Sequence, residues 1–155
     1  MQSSMMTVST LKHLIFDESC NTWKSMMIIT IKSQDHTQFI DITSDIHRAL
    51  EASGLREGLC YIASLHTTAA ITINENADSA VQVDLKQILG KLIPWEDGYQ
   101  HMEGNSAAHM KTSLIGNSEW IAVENGRLVL GTWQGIYFCE FDGPRTRKVY
   151  VKFIE

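Results

Sequence analysis

Short β-type runs of apolar residues are interrupted three times by stretches in which apolar positions recur every three or four residues. Residues 11–16 read as a first strand, ended by polar turn residues over 17–22. Residues 23–32, rich in Ile and Thr, form a stronger strand candidate. Ser33-Gln34-Asp35 reads as a turn into the alternating stretch 39–42, which predicts a hairpin across 26–42. Thr43 or Ser44 then suits the cap of a helix running to Ser53. Ile46, Ala49 and Leu50 lie on its inner face, His47 on its outer face, and Gly54 stops it.

Residues 59–65 are apolar apart from Ser64, the pattern of a strand covered on both faces. Residues 69–73 make another, and His66-Thr67-Thr68 bends the chain between the two. Asn74-Glu75-Asn76 is a polar knot, with Asn76 or Asp78 as cap of a helix over 77–93. Val81, Leu85, Ile88, Leu89 and Leu92 give that helix an apolar stripe, with Asp84 beside it. The loop 94–103, holding Trp95 and Tyr99, exceeds the usual ~4–6 residues. A third helix follows over 105–114, opened by Gly104. Strands are expected over 119–123 and 127–130 about the type I′ pair Asn125-Gly126, then over 136–141 and 148–154, with turns at 131–135 and 142–145. The expectation is one α+β domain over residues 10–155, with a flexible N-terminal segment at 1–9 and no internal repeat or linker.

At 155 residues the chain can bury a real core without staples. A net charge of −5 disfavours a nucleic-acid partner, which needs a positive field. No apolar run approaches the ~20 residues of a bilayer span, so no membrane partner is expected. The first ten residues carry neither a basic nor an apolar region of a signal peptide. Cys20, Cys60 and Cys139 are odd in number and without a CxxC pair, which suits core positions in a reducing, cytoplasmic setting.

The chemistry concentrates in two loops. His101 to Lys111 holds two histidines, an acid, an Asn and a Lys; on a helix, Asn105, His109 and Ser113 share one face. His66-Thr67-Thr68 is the second. If the two converge, His66, His101 and His109 offer three imidazoles to a divalent metal (Mg or Zn), with Glu75 or Asp84 as an added carboxylate. The plain alternative is a hydrogen-bonded network that only orders the loops. For a phosphate, Thr67, Thr68, the helix start near Asn105, and Lys111 or Arg145 supply donors. Arg145 and Arg147 pairing with Glu140 and Asp142 is the structural alternative. A nucleophilic Ser113 or Thr68 lacks a GxSxG elbow, and Cys139 lies within a strand. Trp95 and Trp133 suit either ring stacking or core edges.

HTTAAITINENAD from His66, EGNSAAHMKTSLIGNS from Glu103 and GRLVLGTWQGIYFCEFDGPR from Gly126 closely resemble the YjbQ-like family, whose members are often called secondary thiamine-phosphate synthase family enzymes. The resemblance covers residues 10–155. It implies a β-sandwich-like antiparallel core flanked by about three helices, a homotrimer, and a weak thiamine-phosphate synthase activity joining a pyrimidine diphosphate to a thiazole phosphate. The family's polar positions fall on His66, Thr67, Asn74, Glu75, Asp84, His101, Asn105, His109, Gln134 and Arg145. In that chemistry His66, His101, His109, Asp84 and Glu75 are the catalytic candidates. Thr67, Thr68, Asn105, Lys111, Gln134 and Arg145 hold the phosphorylated substrate. Ala107 stands where some relatives carry an acid. The alternative is a homotrimer that binds a metal or a small phosphorylated molecule without dedicated catalysis.

Overall fold

A computed structural model describes residues 13–17 and 22–155, with side chains from Met26 onward. The expected flexible segment 1–9, the turn after Asp17 and Cys20 lie outside the described residues. The elements run β1 (His13–Asp17), β2 (Thr22–Lys32), β3 (Gln38–Asp41), α1 (Thr43–Ser53), β4 (Gly58–Ser64), β5 (Ala69–Glu75), α2 (Ala80–Leu92), α3 (Ser106–Ile115), β6 (Ser118–Glu124), β7 (Arg127–Leu128), β8 (Gln134–Glu140) and β9 (Thr146–Ile154). Six strands form one antiparallel sheet in the order β1-β2-β9-β4-β6-β7, and β3-β8-β5 form a second. The result is an α+β fold, two antiparallel sheets curled into a half-barrel with three helices.

Alternation along the strands builds the core between the sheets. Ile29, Ile31, Ile62, Val149, Val151 and Phe153 of the large sheet meet Ile71, Ile136 and Phe138 of the small one, and α1 closes the layer with Ile46 and Leu50. The opposite face of the small sheet, Ala70, Tyr137 and Cys139, packs with Ala108 of α3 and Leu89 of α2. Neighbours in the β8 sequence therefore serve different cores, as a period of two requires.

Three local expectations are corrected. The hairpin across 26–42 does not form, because β2 pairs with β1 and β9 while β3 joins β8 in the other sheet. Residues 33–37 are a crossover between sheets. β4 is not covered on both faces: Cys60 and Ile62 are buried, while Leu59 is exposed and Tyr61 packs beside Trp120 on the outer face. Finally, neither Thr43 nor Ser44 caps α1 with its side chain. Instead Asp41 Oδ1 accepts the Thr43 N–H at 2.8 Å, and Gly54 ends the helix in the left-handed conformation as expected. Asn125 and Gly126 both take positive φ, as a type I′ turn demands. Among the described residues no helix is long and apolar enough to cross a membrane.

Candidate functional site

At one end of the half-barrel the β4–β5 loop meets α3. There Ser64, Leu65, His66 and Thr67 form one wall of a cleft of about 480 Å³, and His109, Thr112 and Ser113 form the other. Gly116 and Asn117, just beyond α3, complete it, and no acidic side chain of the described residues lines it. The two segments meet because α3 packs along β5, with the Ile71 N–H bonded to the Gly116 carbonyl at 3.1 Å.

The loop is held from below by two consecutive residues of β9. The Lys148 backbone N–H donates to His66 Nε2 at 2.7 Å, and Arg147 Nη2 donates to Thr68 Oγ1 at 2.9 Å. Between these anchored neighbours, Thr67 faces the cleft. Arg147 also grips Glu140, Nε to Oε2 at 2.7 Å and Nη2 to Oε1 at 2.5 Å. Glu140 further accepts the Ser33 hydroxyl and the N–H groups of Phe141 and Asp142. Burial pushes its carboxyl up, but these hydrogen bonds and the Arg147 charge outweigh that and hold it below the usual carboxylate range.

His66 is also held below its ordinary value, which here favours the neutral form. Burial, and then the Arg147 charge, disfavour its protonated form; Glu140 pulls the other way, and Lys148 adds a smaller push against protonation. With Nε2 accepting from Lys148, the neutral ring carries its proton on Nδ1 and is a donor.

Of the three histidines expected to converge, two line the same cleft and the third stands beside one of them. His66 and His109 share the cleft, and the His101 ring stands edge-on to His109 with centroids 5.4 Å apart. Yet among the described residues no three His, Cys, Asp or Glu side chains come together closely enough to hold a metal ion. The His66 Nε2 lone pair is engaged and its Nδ1 carries a proton, so that ring offers no free ligand position. Within one chain the three imidazoles do not fit a metal site.

The carboxylates lie elsewhere. Glu75 ends β5 opposite Gln134 in register, seven residues and roughly 20 Å of strand from Thr68. Around it Tyr137 donates to Asn76 Oδ1 at 2.5 Å, and Gln82 donates to the Tyr137 hydroxyl at 3.1 Å. Asn74 Oδ1 accepts the Glu75 N–H, and Gln134 Oε1 accepts the Gly131 N–H. Asp84 is exposed on α2. The anion donors are divided too. Arg145 pairs with Asp142 at 2.9 Å, and Asn105 donates to the same carboxylate at 3.1 Å, so the expected structural quartet forms as Arg145–Asp142 and Arg147–Glu140. Lys111 is buried on the inner face of α3 with Ala107 and Ala108, without an acid partner among the described residues; burial lowers its pKa. Trp95 packs edge-on against His36, and Trp133 is exposed.

Thr112 is the cleft residue that sequence reasoning passed over, and Arg147 was read as an ion-pair partner of the acids but not as the anchor of Thr68. The signal for Arg147 was a charged residue at an inward position in the alternation of a core strand. For Thr112 it was a β-branched hydroxyl in mid-helix, where propensity disfavours it.

This architecture, two antiparallel sheets curled into a half-barrel with three helices, is that of a class of small α+β proteins found in bacteria and archaea. Residues 27–155 match the family model described as UPF0047 protein YjbQ-like, and the chain belongs to that family. It is 52% identical to the UPF0047 protein YugU of Bacillus subtilis over 127 residues, 81% of this chain and 96% of that one. It is 47% identical to a UPF0047 protein of Methanocaldococcus jannaschii over 131 residues, 84% and 95% of the two chains. The crystal structure of an uncharacterised family protein from Clostridium acetobutylicum superposes with a TM-score of 0.81 at 53% identity, covering 82% of this chain and 98% of that chain. A protein of unknown function from Sulfolobus solfataricus gives 0.81 at 29% identity, covering 84% and 96%.

Proposed function

We propose that the protein binds a small phosphorylated molecule, its phosphate seated in the cleft between His66-Thr67 and α3. The observation that carries this reading is the lining itself: a neutral imidazole donor, hydroxyls on both walls, and no acid. The volume lies within the ~300–1,000 Å³ of small-molecule sites. Titration of the full chain with inorganic phosphate, followed by the His66 and His109 ring resonances, is the test. Saturable shifts that vanish in His66→Ala support the reading; no shift at millimolar phosphate ends it.

A transferase of the thiamine-phosphate synthase type is the second reading, favoured by the His101–His109 pair beside the cleft, a source of protons for a departing diphosphate. The carboxylates that would serve Mg²⁺ stand at the far end of β5 and on α2, so binding is the better-supported activity of a single chain. Incubation of the purified protein with the pyrimidine diphosphate and the thiazole phosphate decides: absence of thiamine phosphate leaves binding alone.

Assembly as a homotrimer is part of the proposal. Val83, Ile88 and Leu92 of α2 and Met110 and Leu114 of α3 are exposed apolar side chains that a subunit contact would cover. A mass of one chain by light scattering at micromolar concentration would refute it. The buried free thiols of Cys60 and Cys139 accord with a cytoplasmic setting.

A further inference from the structure

The outward positions of the large sheet carry an exposed aromatic face. Tyr61 of β4 stands opposite Trp120 of β6 on one side and Lys152 of β9 on the other, with Tyr150 diagonal to it. The Tyr61 ring centroid is 4.6 Å from that of Trp120 and 6.2 Å from that of Tyr150. Even so, Trp120 leaves 55% of its surface to solvent, and a cluster of rings on an open sheet marks a binding surface. Along β9 the outward positions alternate in kind: Lys148, Tyr150, Lys152. Lys32 ends the same face on β2. Among the described side chains at outward positions of β2, β4, β6 and β9, the one acid is Glu124, opposite Arg127 at the far end of β6. The net charge of −5 is thus carried elsewhere, and this face is locally positive. The face also runs into the cleft. Leu65, exposed and part of the cleft wall, extends the outward row of β4, and its N–H donates to the Lys148 carbonyl at 3.2 Å. His66 takes the Lys148 N–H, so the cleft and the row of rings and cations meet at one residue.

We infer that this face binds single-stranded nucleic acid, with a terminal phosphate seated in the His66–Thr67 cleft and the following bases laid on Tyr150, Tyr61 and Trp120. The inference rests on the phosphate reading of the cleft and goes further, because it names the class of molecule that carries the phosphate. Bases stack on aromatic rings whatever their sequence, and lysine ammonium groups attract phosphodiesters. A polymer that alternates bases with phosphates therefore complements the Lys148–Tyr150–Lys152 row. The spacing agrees. An extended single strand advances per nucleotide about as far as a β-strand does over two residues, roughly 7 Å. Tyr150 lies one such step from Lys148, and Tyr61 two steps from Leu65. A mononucleotide held by its phosphate reaches only the first ring, whereas a strand of several nucleotides covers all three. A duplex keeps its bases stacked on one another and offers them no face, so the platform suits an unpaired strand.

The test is fluorescence anisotropy of hexathymidylate and hexauridylate, labelled at one end and either phosphorylated or unphosphorylated at the other, titrated with the full chain. The variants are Trp120→Ala and His66→Ala, with thermal melts to establish that each folds. The expected result is saturable binding of the phosphorylated strand, at least tenfold weaker in Trp120→Ala and at least fivefold weaker without the terminal phosphate. In His66→Ala the dependence on the end group disappears. Affinity falls with salt, with a log–log slope of about −2 for three neutralised phosphates. Undiminished binding by Trp120→Ala overturns the inference while leaving the cleft reading intact. So does indifference to the terminal phosphate, or failure to bind either strand while inorganic phosphate still binds. A change in assembly mass of Trp120→Ala by light scattering overturns it too, by making the face a subunit contact. Binding of neither the strands nor inorganic phosphate overturns both.

Discussion

The Arg147 guanidinium holds the Glu140 carboxylate through two hydrogen bonds in a fully desolvated setting, Glu140 being 0% exposed. The pair joins β9 of the large sheet to β8 of the small one, and through Thr68 it reaches the loop that forms the cleft wall. Removing one partner strands the other as a buried charge. Arg147→Met is expected to cost about 3–5 kcal/mol by urea denaturation, whereas Arg147→Met with Glu140→Leu costs clearly less than Arg147→Met alone. The sign with pH follows from Glu140. Its folded pKa lies below the ordinary 4.5, so its contribution is present above about pH 4.5 and is lost as pH falls through the lower folded value. In Glu140→Gln that portion of the acid dependence disappears.

His66 sets a second pH dependence at higher pH. Its folded pKa lies below the ordinary 6.5, so the unfolded chain takes up a proton first, and stability declines as pH drops from about 6.5. Protonation would also replace the acceptor facing the Lys148 N–H with a donor. Thermal melts between pH 8 and 5 should therefore fall more steeply for the wild type than for His66→Asn. Parallel curves for the two would contradict this assignment.

Two glycines respond in opposite directions to the same substitution. Gly58, at the start of β4, has φ +144°, and an added Cβ would stand 2.1 Å from the Ile154 carbonyl oxygen. Gly58→Ala must push β4 from β9, with an expected loss of about 2–4 kcal/mol. Gly90 lies within α2, where a Cβ meets nothing within 4 Å. Gly90→Ala should stabilise by up to about 1 kcal/mol. Urea midpoints of the two variants give both signs in one experiment.

The thiols provide a check on the core. Cys60 and Cys139 are both buried; burial pushes the Cys60 thiol up to about 12 and raises that of Cys139 further. In a Cys20→Ser background neither should react with a thiol reagent at pH 8 over minutes, and both should react on denaturation. Rapid labelling of the native protein would show that one of the two cores opens readily.

The helices were legible because their apolar spacing and terminators are local. Gly54 ends α1 where the sequence predicted, and Ile46, Ala49 and Leu50 face inward. The α2 stripe was read correctly as helical, but only Leu89 of it is buried, since spacing states which side chains share a face and not what covers them. Strand partners were the main failure. Ser33-Gln34-Asp35 has the composition of a hairpin turn, yet β2 pairs with β9, over a hundred residues away, because Met27, Ile29 and Ile31 must face the core between the sheets. At the site, His66, Thr67 and His109 were identified and line one cleft, while Glu75, Asp84 and Arg145, equally polar in sequence, lie outside it. Thr112 escaped notice because its buried, unpartnered hydroxyl is a property of packing, visible only once its surroundings are built.

His66 and Thr68 are each tethered to β9, one to the backbone of Lys148 and the other to the side chain of Arg147, with Thr67 between them. A ligand bound as proposed would therefore meet a wall already tethered to β9, and little conformational entropy would be surrendered on docking. Loaded and empty forms should superimpose closely across these three residues, and related ligands should differ chiefly in how long they stay rather than in how fast they arrive.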